Sequence, residues 1–176
     1  MESWGTSQFD ITDRQRYVAN IRLCAYENVN NEGDANGRPP TNHWAVFLEL
    51  YQSGSKYVNV DMIPGDGADG LTGTIILESK SYSVTNTAIK TVTFQPIKWT
   101  TVEAITDLIV RNRRDKYKFT EHEEGCRYWV YTFILDLENE GIVAPGSATT
   151  VWASVSCYWR YPSGCEERAV ELGTFQ

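Results

Sequence analysis

Glu123-Glu124-Gly125-Cys126-Arg127-Tyr128-Trp129-Val130 is the stretch on which the reading of this chain turns. Apolar residues recur at Trp129, Val130, Phe133, Ile134 and Leu137, the spacing of one helical face. Cys126 falls on that face, four, seven and eleven residues before Val130, Phe133 and Leu137. Its thiol is therefore expected to point toward whatever the helix packs on. A helix N-terminus presents free backbone N–H groups and about half a positive charge, and both favour the thiolate, the form that attacks. The plainer reading of a free cysteine on an apolar face is a small core residue. What sets this one apart is a potential partner upstream, in Asn42-His43-Trp44-Ala45-Val46.

Working outward, the N-terminal half is written in strands. Tyr17 to Tyr26 alternates apolar and polar residues. Glu27 to Thr41 is rich in Asn, Gly and Pro and reads as a loop delivering the chain to His43. His43 to Tyr51 and Lys56 to Met62 read as an antiparallel hairpin about the turn Gln52-Ser53-Gly54-Ser55. Ile63 to Gly70 is a Gly- and Asp-rich turn without the spacing of a calcium loop. Leu71 to Glu78 and Lys90 to Ile97 are two further strands, with Ser79 to Ile89 as an extension of one of them.

Then the pattern changes to helices. Thr100-Thr101-Val102-Glu103 is a capping box opening a helix to about Asn112, with Val102, Ile105, Leu108 and Ile109 inward. The cations Arg111, Arg113, Arg114, Lys116 and Lys118 complement its C-terminal dipole, or else receive an anionic group. The Cys126 helix ends near Glu140 with Gly141 as a left-handed cap. A third helix runs from Ser147 to about Arg160 and stops before Pro162. Strands first and helices after predict an α+β fold, with an antiparallel sheet of about five to six strands and three C-terminal helices on one face. At 176 residues the chain is expected to form one domain, 1–176, with residues 1–15 as a loosely held arm.

The net charge of -7 argues against binding nucleic acid, whose phosphates need neutralising. No apolar run is long enough for a membrane span. Met1-Glu2-Ser3-Trp4-Gly5-Thr6 lacks the features of a secretory signal, which favours a cytoplasmic protein. Four free thiols are then expected at Cys24, Cys126, Cys157 and Cys165; Cys157 and Cys165 are the pair that export would bridge. With no CxxC pair and only two histidines, neither a metal site nor a cofactor is expected.

Thiol catalysis needs a nucleophile, a base within hydrogen-bond reach and a group that orients the base. His43 is the preferred base, because Trp44, Val46 and Phe47 belong to a packed strand that would hold its ring. His122, four residues before Cys126, is the alternative. His43-Trp44-Ala45-Val46, a hairpin to Val60-Asp61-Met62-Ile63-Pro64, and Gly125-Cys126 opening a helix together resemble the permuted papain-like thiol enzymes, above all the lecithin retinol acyltransferase and phospholipase/acyltransferase branch. That resemblance implies His43 as base, Cys126 as nucleophile and Asp61 as the residue orienting the imidazole, where that branch usually has a second histidine. It also departs from that branch in having Gly125 where asparagine is usual, and Glu121, Glu123 and Glu124 crowd the helix start with negative charge. The chain as a whole resembles a fungal domain family with no assigned function, marked by the His-Trp strand, the Asp-Met-x-Pro turn and the Gly-Cys-Arg-Tyr-Trp helix start. That likeness suggests a fungal, secondary-metabolite setting.

Three functions are open on this reading. One is a cysteine hydrolase or acyltransferase acting on an ester, thioester or amide of a small hydrophobic molecule. Another is a non-covalent cyclase, isomerase or lyase on the same scaffold, with Trp44, Tyr128, Trp129 and Trp152 as pocket walls and His43 or Asp61 as acid or base. The last is a non-catalytic binding domain.

Overall fold

In a computed structural model, residues 4–29, 31–33, 37–52, 54, 56–65, 68–81 and 87–176 are described. Five antiparallel strands form the main sheet: β1 Val18–Glu27, β2 Asn42–Leu50, β3 Tyr57–Pro64, β4 Gly73–Lys80 and β5 Lys90–Phe94, in the order β4-β3-β2-β1-β5. The α+β class and the sheet follow the alternation of the N-terminal half. Parts of five expected segments lie outside the described residues: residues 1–3 of the N-terminal arm, residues 30 and 34–36 of the Glu27–Thr41 loop, Ser53 and Ser55 of the first turn, Asp66 and Gly67 of the Gly/Asp loop, and residues 82–86 of the Ser79–Ile89 extension.

Alternation divides β2 between two environments. Trp44, Val46, Leu48 and Leu50 join a large core that also holds Val58, Val60 and Met62 of β3 and the apolar residues of the helices. Ala45 and Phe47 instead cluster with Cys24 and Tyr57 on the other side. A central strand buried on both sides cannot slip by one residue without exchanging its two sets of side chains.

Three helices follow: α1 Val102–Arg111, α2 Cys126–Asn139 and α3 Ser147–Val155. The N-cap of α1 is Thr101, whose hydroxyl accepts from the Ala104 N–H at 3.2 Å; Thr100 donates to the Lys98 carbonyl instead. The basic run after α1 is largely paired: the Arg114 guanidinium grips Asp136 of α2 in two bonds of 2.6 and 3.0 Å, Arg111 pairs with Glu140, and Lys118 with Asp69. α2 is buried around most of its girth, through Trp129, Val130, Phe133, Ile134 and Leu137. Gly141 closes it at φ +63°.

Three expectations need correction. The third helix stops at Val155 rather than near Arg160, because β7 Cys157–Trp159 pairs antiparallel with β8 Cys165–Glu167. A disulfide joins Cys157 and Cys165 across that pair, so the free thiols are Cys24 and Cys126 rather than all four. Residues 4–15 are also docked rather than loose. Trp4 is buried, Gly5 exchanges backbone hydrogen bonds with Ile75 and Leu77 along the outer edge of β4, and a 3-10 helix spans Ile11–Gln15. Asp13, fully buried, anchors the segment by accepting from Lys56 at 2.7 Å and from the Ser79 hydroxyl at 2.8 Å. A covered edge strand is also protected from pairing with another chain.

The short strands β6 Tyr117–Lys118 and β9 Thr174–Phe175 pair antiparallel and bring the C-terminus beside the start of α2. Among the described residues no helix is long and apolar enough to cross a membrane.

The core is tested at Phe133, fully buried and stacked on Trp129 with ring centroids 5.4 Å apart. Phe133→Ala leaves a cavity between α2 and the sheet and is expected to cost about 3–5 kcal/mol in urea unfolding.

Candidate active site

His43 is the second residue of β2, and its strand neighbours fix it. The alternation that buries Trp44 under the helices turns His43 to the side of Ala45 and Phe47. On β3, Asp61 shares that side with Tyr57. The register pairs Val46 with Val60, which sets Asp61 across from Ala45 and diagonal to His43, within reach of a long side chain. The His43 Nε2 lies 2.9 and 3.0 Å from the two Asp61 carboxylate oxygens. Both side chains keep some exposure, 26% and 18%.

The thiol comes from the start of α2, at the end of the sheet where β2 begins and β3 ends. Gly125 caps the helix at φ +149°, a backbone shape L side chains rarely adopt. The Tyr117 hydroxyl donates to the Gly125 carbonyl at 2.9 Å and accepts from the Gly173 N–H at 3.1 Å. A Cβ at 125 would sit 2.7 Å from that hydroxyl oxygen. Glycine before the cysteine is thus a requirement of this turn.

Glu124 ties the same turn to the approach of β2. Its Oε1 accepts from Thr41 Oγ1 at 2.8 Å and from Asn31 Nδ2 at 2.6 Å. Cys126 then lies against the large core at 6% exposure, and its sulfur also acts on the His43 ring. Burial opposes a charged imidazole, but the Asp61 charge and hydrogen bond outweigh it, and Cys126 adds a smaller push in the same direction through a hydrogen bond and through charge. His43 is held well above the usual histidine range. His43, Asp61 and Cys126 therefore converge from three separate stretches of sequence.

The four aromatic residues expected as pocket walls do not gather at this point. Trp44 and Trp129 are sealed in the core, and the Trp129 indole N–H donates to the Arg114 carbonyl at 2.8 Å. Trp152 lies on the surface, 40% exposed, edge-on to Tyr131. Tyr128, half-buried, stacks on Tyr131 and leans on Phe175. His122 is exposed and faces Glu171 rather than the thiol. A cavity of about 240 Å³ opens beside Thr41, lined also by Glu27, Asn28, Asn31, Glu32 and Tyr158. Another, of about 260 Å³ beside Trp99 and Tyr51, lies at the opposite end of β1 and β2, far from His43. No group of three or more potential metal-binding side chains occurs among the described residues.

Sequence reasoning missed Tyr117, Thr41, Asn31 and Arg127. The available signal was an arginine three residues after Glu124, the spacing of an ion pair on one helical turn.

A family model described as a domain of unknown function (DUF7770) matches residues 21–176, and the chain belongs to that family. Searches of curated proteins and of solved structures return no match.

The His43–Asp61 contact has a signed pH consequence. A folded-state value raised above the unfolded one stabilises fully below the unfolded value of about 6.5, and that contribution is lost as pH rises through the folded value. By NMR the His43 ring is expected to titrate above about 6.5, and Asp61→Asn to lower its midpoint. The stability advantage of the unsubstituted protein over Asp61→Asn in urea should shrink as pH climbs through that midpoint. A wild-type midpoint at or below about 6.5 would refute the pairing.

Proposed function

We propose that this chain is a cysteine hydrolase or acyltransferase acting on an ester, thioester or amide of a small molecule. The observation that carries this reading is the meeting of Cys126, His43 and Asp61 at one end of the sheet, with the imidazole held between a carboxylate and a thiol. A nucleophile, a base and an orienting group in that order are what acyl transfer through a thioester requires.

Asp61 occupies Nε2 and fixes the ring, which leaves Nδ1 for the thiol. A cationic imidazole stabilises a thiolate beside it. The sulfur attacks the carbonyl carbon, and the carbonyl π electrons move to oxygen. Backbone N–H groups of the first turn of α2 stabilise that oxyanion. As the tetrahedral adduct collapses, the bond to the leaving alcohol, thiol or amine breaks and His43 gives that group its proton. Water, or a second nucleophile in the transferase case, then gives a proton to His43 as it bonds to the acyl carbon, and the carbon–sulfur bond breaks with its electron pair returning to Cys126 as thiolate. The chemistry needs no cofactor. The order of elements, histidine strand before cysteine helix, fits a permuted papain-like scaffold with the three helices on one face of the sheet, and we place it in fungal secondary metabolism on the sequence resemblance.

A second reading has an observation of its own. Cys126 is the least exposed residue of the trio, while the imidazole and carboxylate side chains keep more exposure. A non-covalent cyclase, isomerase or lyase would use His43 and Asp61 alone as acid and base.

Iodoacetamide at neutral pH separates the two. The covalent reading expects Cys126 to be alkylated faster than N-acetylcysteine and far faster than Cys24, which is fully buried and whose thiol burial pushes up. Cys126 reacting more slowly than the free thiol would sink it. On an acyl substrate, Cys126→Ala should abolish turnover and His43→Ala should lower it by at least about a hundredfold. Turnover that survives Cys126→Ala but not His43→Ala would select the non-covalent reading.

A further inference from the structure

Glu124 and Arg127 bracket the candidate nucleophile and are themselves buried, at 5% and 2% exposure. Buried ions persist only where their hydrogen-bonding capacity is met. Glu124 Oε1 accepts from Asn31 and Thr41, and Oε2 lies 3.6 Å from the Arg127 guanidinium. Arg127 donates to the Val155 carbonyl at 3.2 Å and to the Ala169 carbonyl at 2.8 Å. Thr41 Oγ1 in turn accepts from Asn28 at 3.1 Å and Asn31 at 3.3 Å. One ion pair thus fastens the loop before β2, the start of α2, the end of α3 and the C-terminal segment.

The placement of these bonds is specific to the site. Thr41 lies just before β2 and precedes His43 by two residues, and Glu124 precedes Cys126 by two. The 2.8 Å bond between Thr41 and Glu124 therefore ties the segment that leads into His43 to the one that leads into Cys126, two residues back along each. We infer that the buried Glu124–Arg127 pair, acting through Thr41, is the positioning device that holds Cys126 in register with His43. This rests on the reading of those two residues as the reacting pair. Neither Glu124 nor Thr41 reacts; each acts through the backbone two residues on. The pair also resolves an electrostatic difficulty. A carboxylate so near a thiol would disfavour the thiolate, but Arg127 balances its charge, and the other two glutamates of the turn, Glu121 and Glu123, face solvent.

The test is the rate of Cys126 alkylation by iodoacetamide in the full chain, with Cys24 as the internal gauge of general loosening. Thr41→Val keeps the shape of the side chain but removes the hydroxyl that donates to Glu124. It is expected to slow Cys126 alkylation about tenfold or more while Cys24 stays slow. Thr41→Ser restores a hydroxyl and should bring the rate back to within about twofold of the unsubstituted protein. Glu124→Ala should resemble Thr41→Val or exceed it; if that variant does not fold, the threonine pair alone decides. A wild-type rate in Thr41→Val, or equal slowing in Thr41→Ser and Thr41→Val, overturns the inference while leaving the thiol reading intact. A Cys126 no faster than N-acetylcysteine in the unsubstituted protein overturns both.

Discussion

β2 is the strand on which everything else is hung, because it is buried on both sides at once. Its even-numbered residues, Trp44 to Leu50, dock under the helices, while Ala45 and Phe47 fill the smaller cluster opposite. The two apolar sets lock its register against β1 and β3 more firmly than backbone hydrogen bonds alone would. Every side chain near the strand's start inherits that precision. His43 belongs to no apolar cluster, yet it cannot drift, since the residues on either side of it, Asn42 and Trp44, are buried. The carboxylate of Asp61 meets it because β3 is held in the same frame.

The second constraint lies where helix and sheet meet. α2 packs its apolar face into the large core, so its N-terminus is delivered to the end of the sheet where β2 starts. The turn before it is crowded: the Tyr117 hydroxyl lies against the Gly125 and Gly173 backbones with no room for a side chain at either. Crowding removes freedom, and a thiol that must meet an imidazole from a different layer gains from losing it. Cys126 remains a core residue by burial and a candidate nucleophile by contact. Those descriptions conflict only if a reactive group must be exposed at rest.

Much of this was legible from local pattern. Alternation gave the strands, helical spacing gave α2, and a threonine cap marked α1 to within one residue. His43, Asp61 and Cys126 were legible because each is a chemically capable residue at an element's boundary or on its face. The aromatic walls were not. Trp44 and Trp129 have the composition of a pocket and the burial of a core, and a sequence carries no sign of which other surface covers them. The docked N-terminal segment was also hidden, since Asp13 looks like any surface carboxylate until Lys56 and Ser79 close over it. The end of α3 was overestimated because the apolar spacing of Tyr158 and Trp159 suits a helix as well as the β7–β8 ribbon, and the pairing with residues 165–167 is a tertiary fact.

The three glutamates before Cys126 carry the general point. Counted as charges they argue against a thiolate at the helix start. Placed in the fold they separate: Glu121 and Glu123 face solvent, where water screens them, and Glu124 is turned inward against Arg127. Of the three, the buried one is the one whose charge is balanced, and its hydrogen bonds run to the segment that leads into His43. A feature that counts against the site in the sequence is, in the fold, part of what holds the site together.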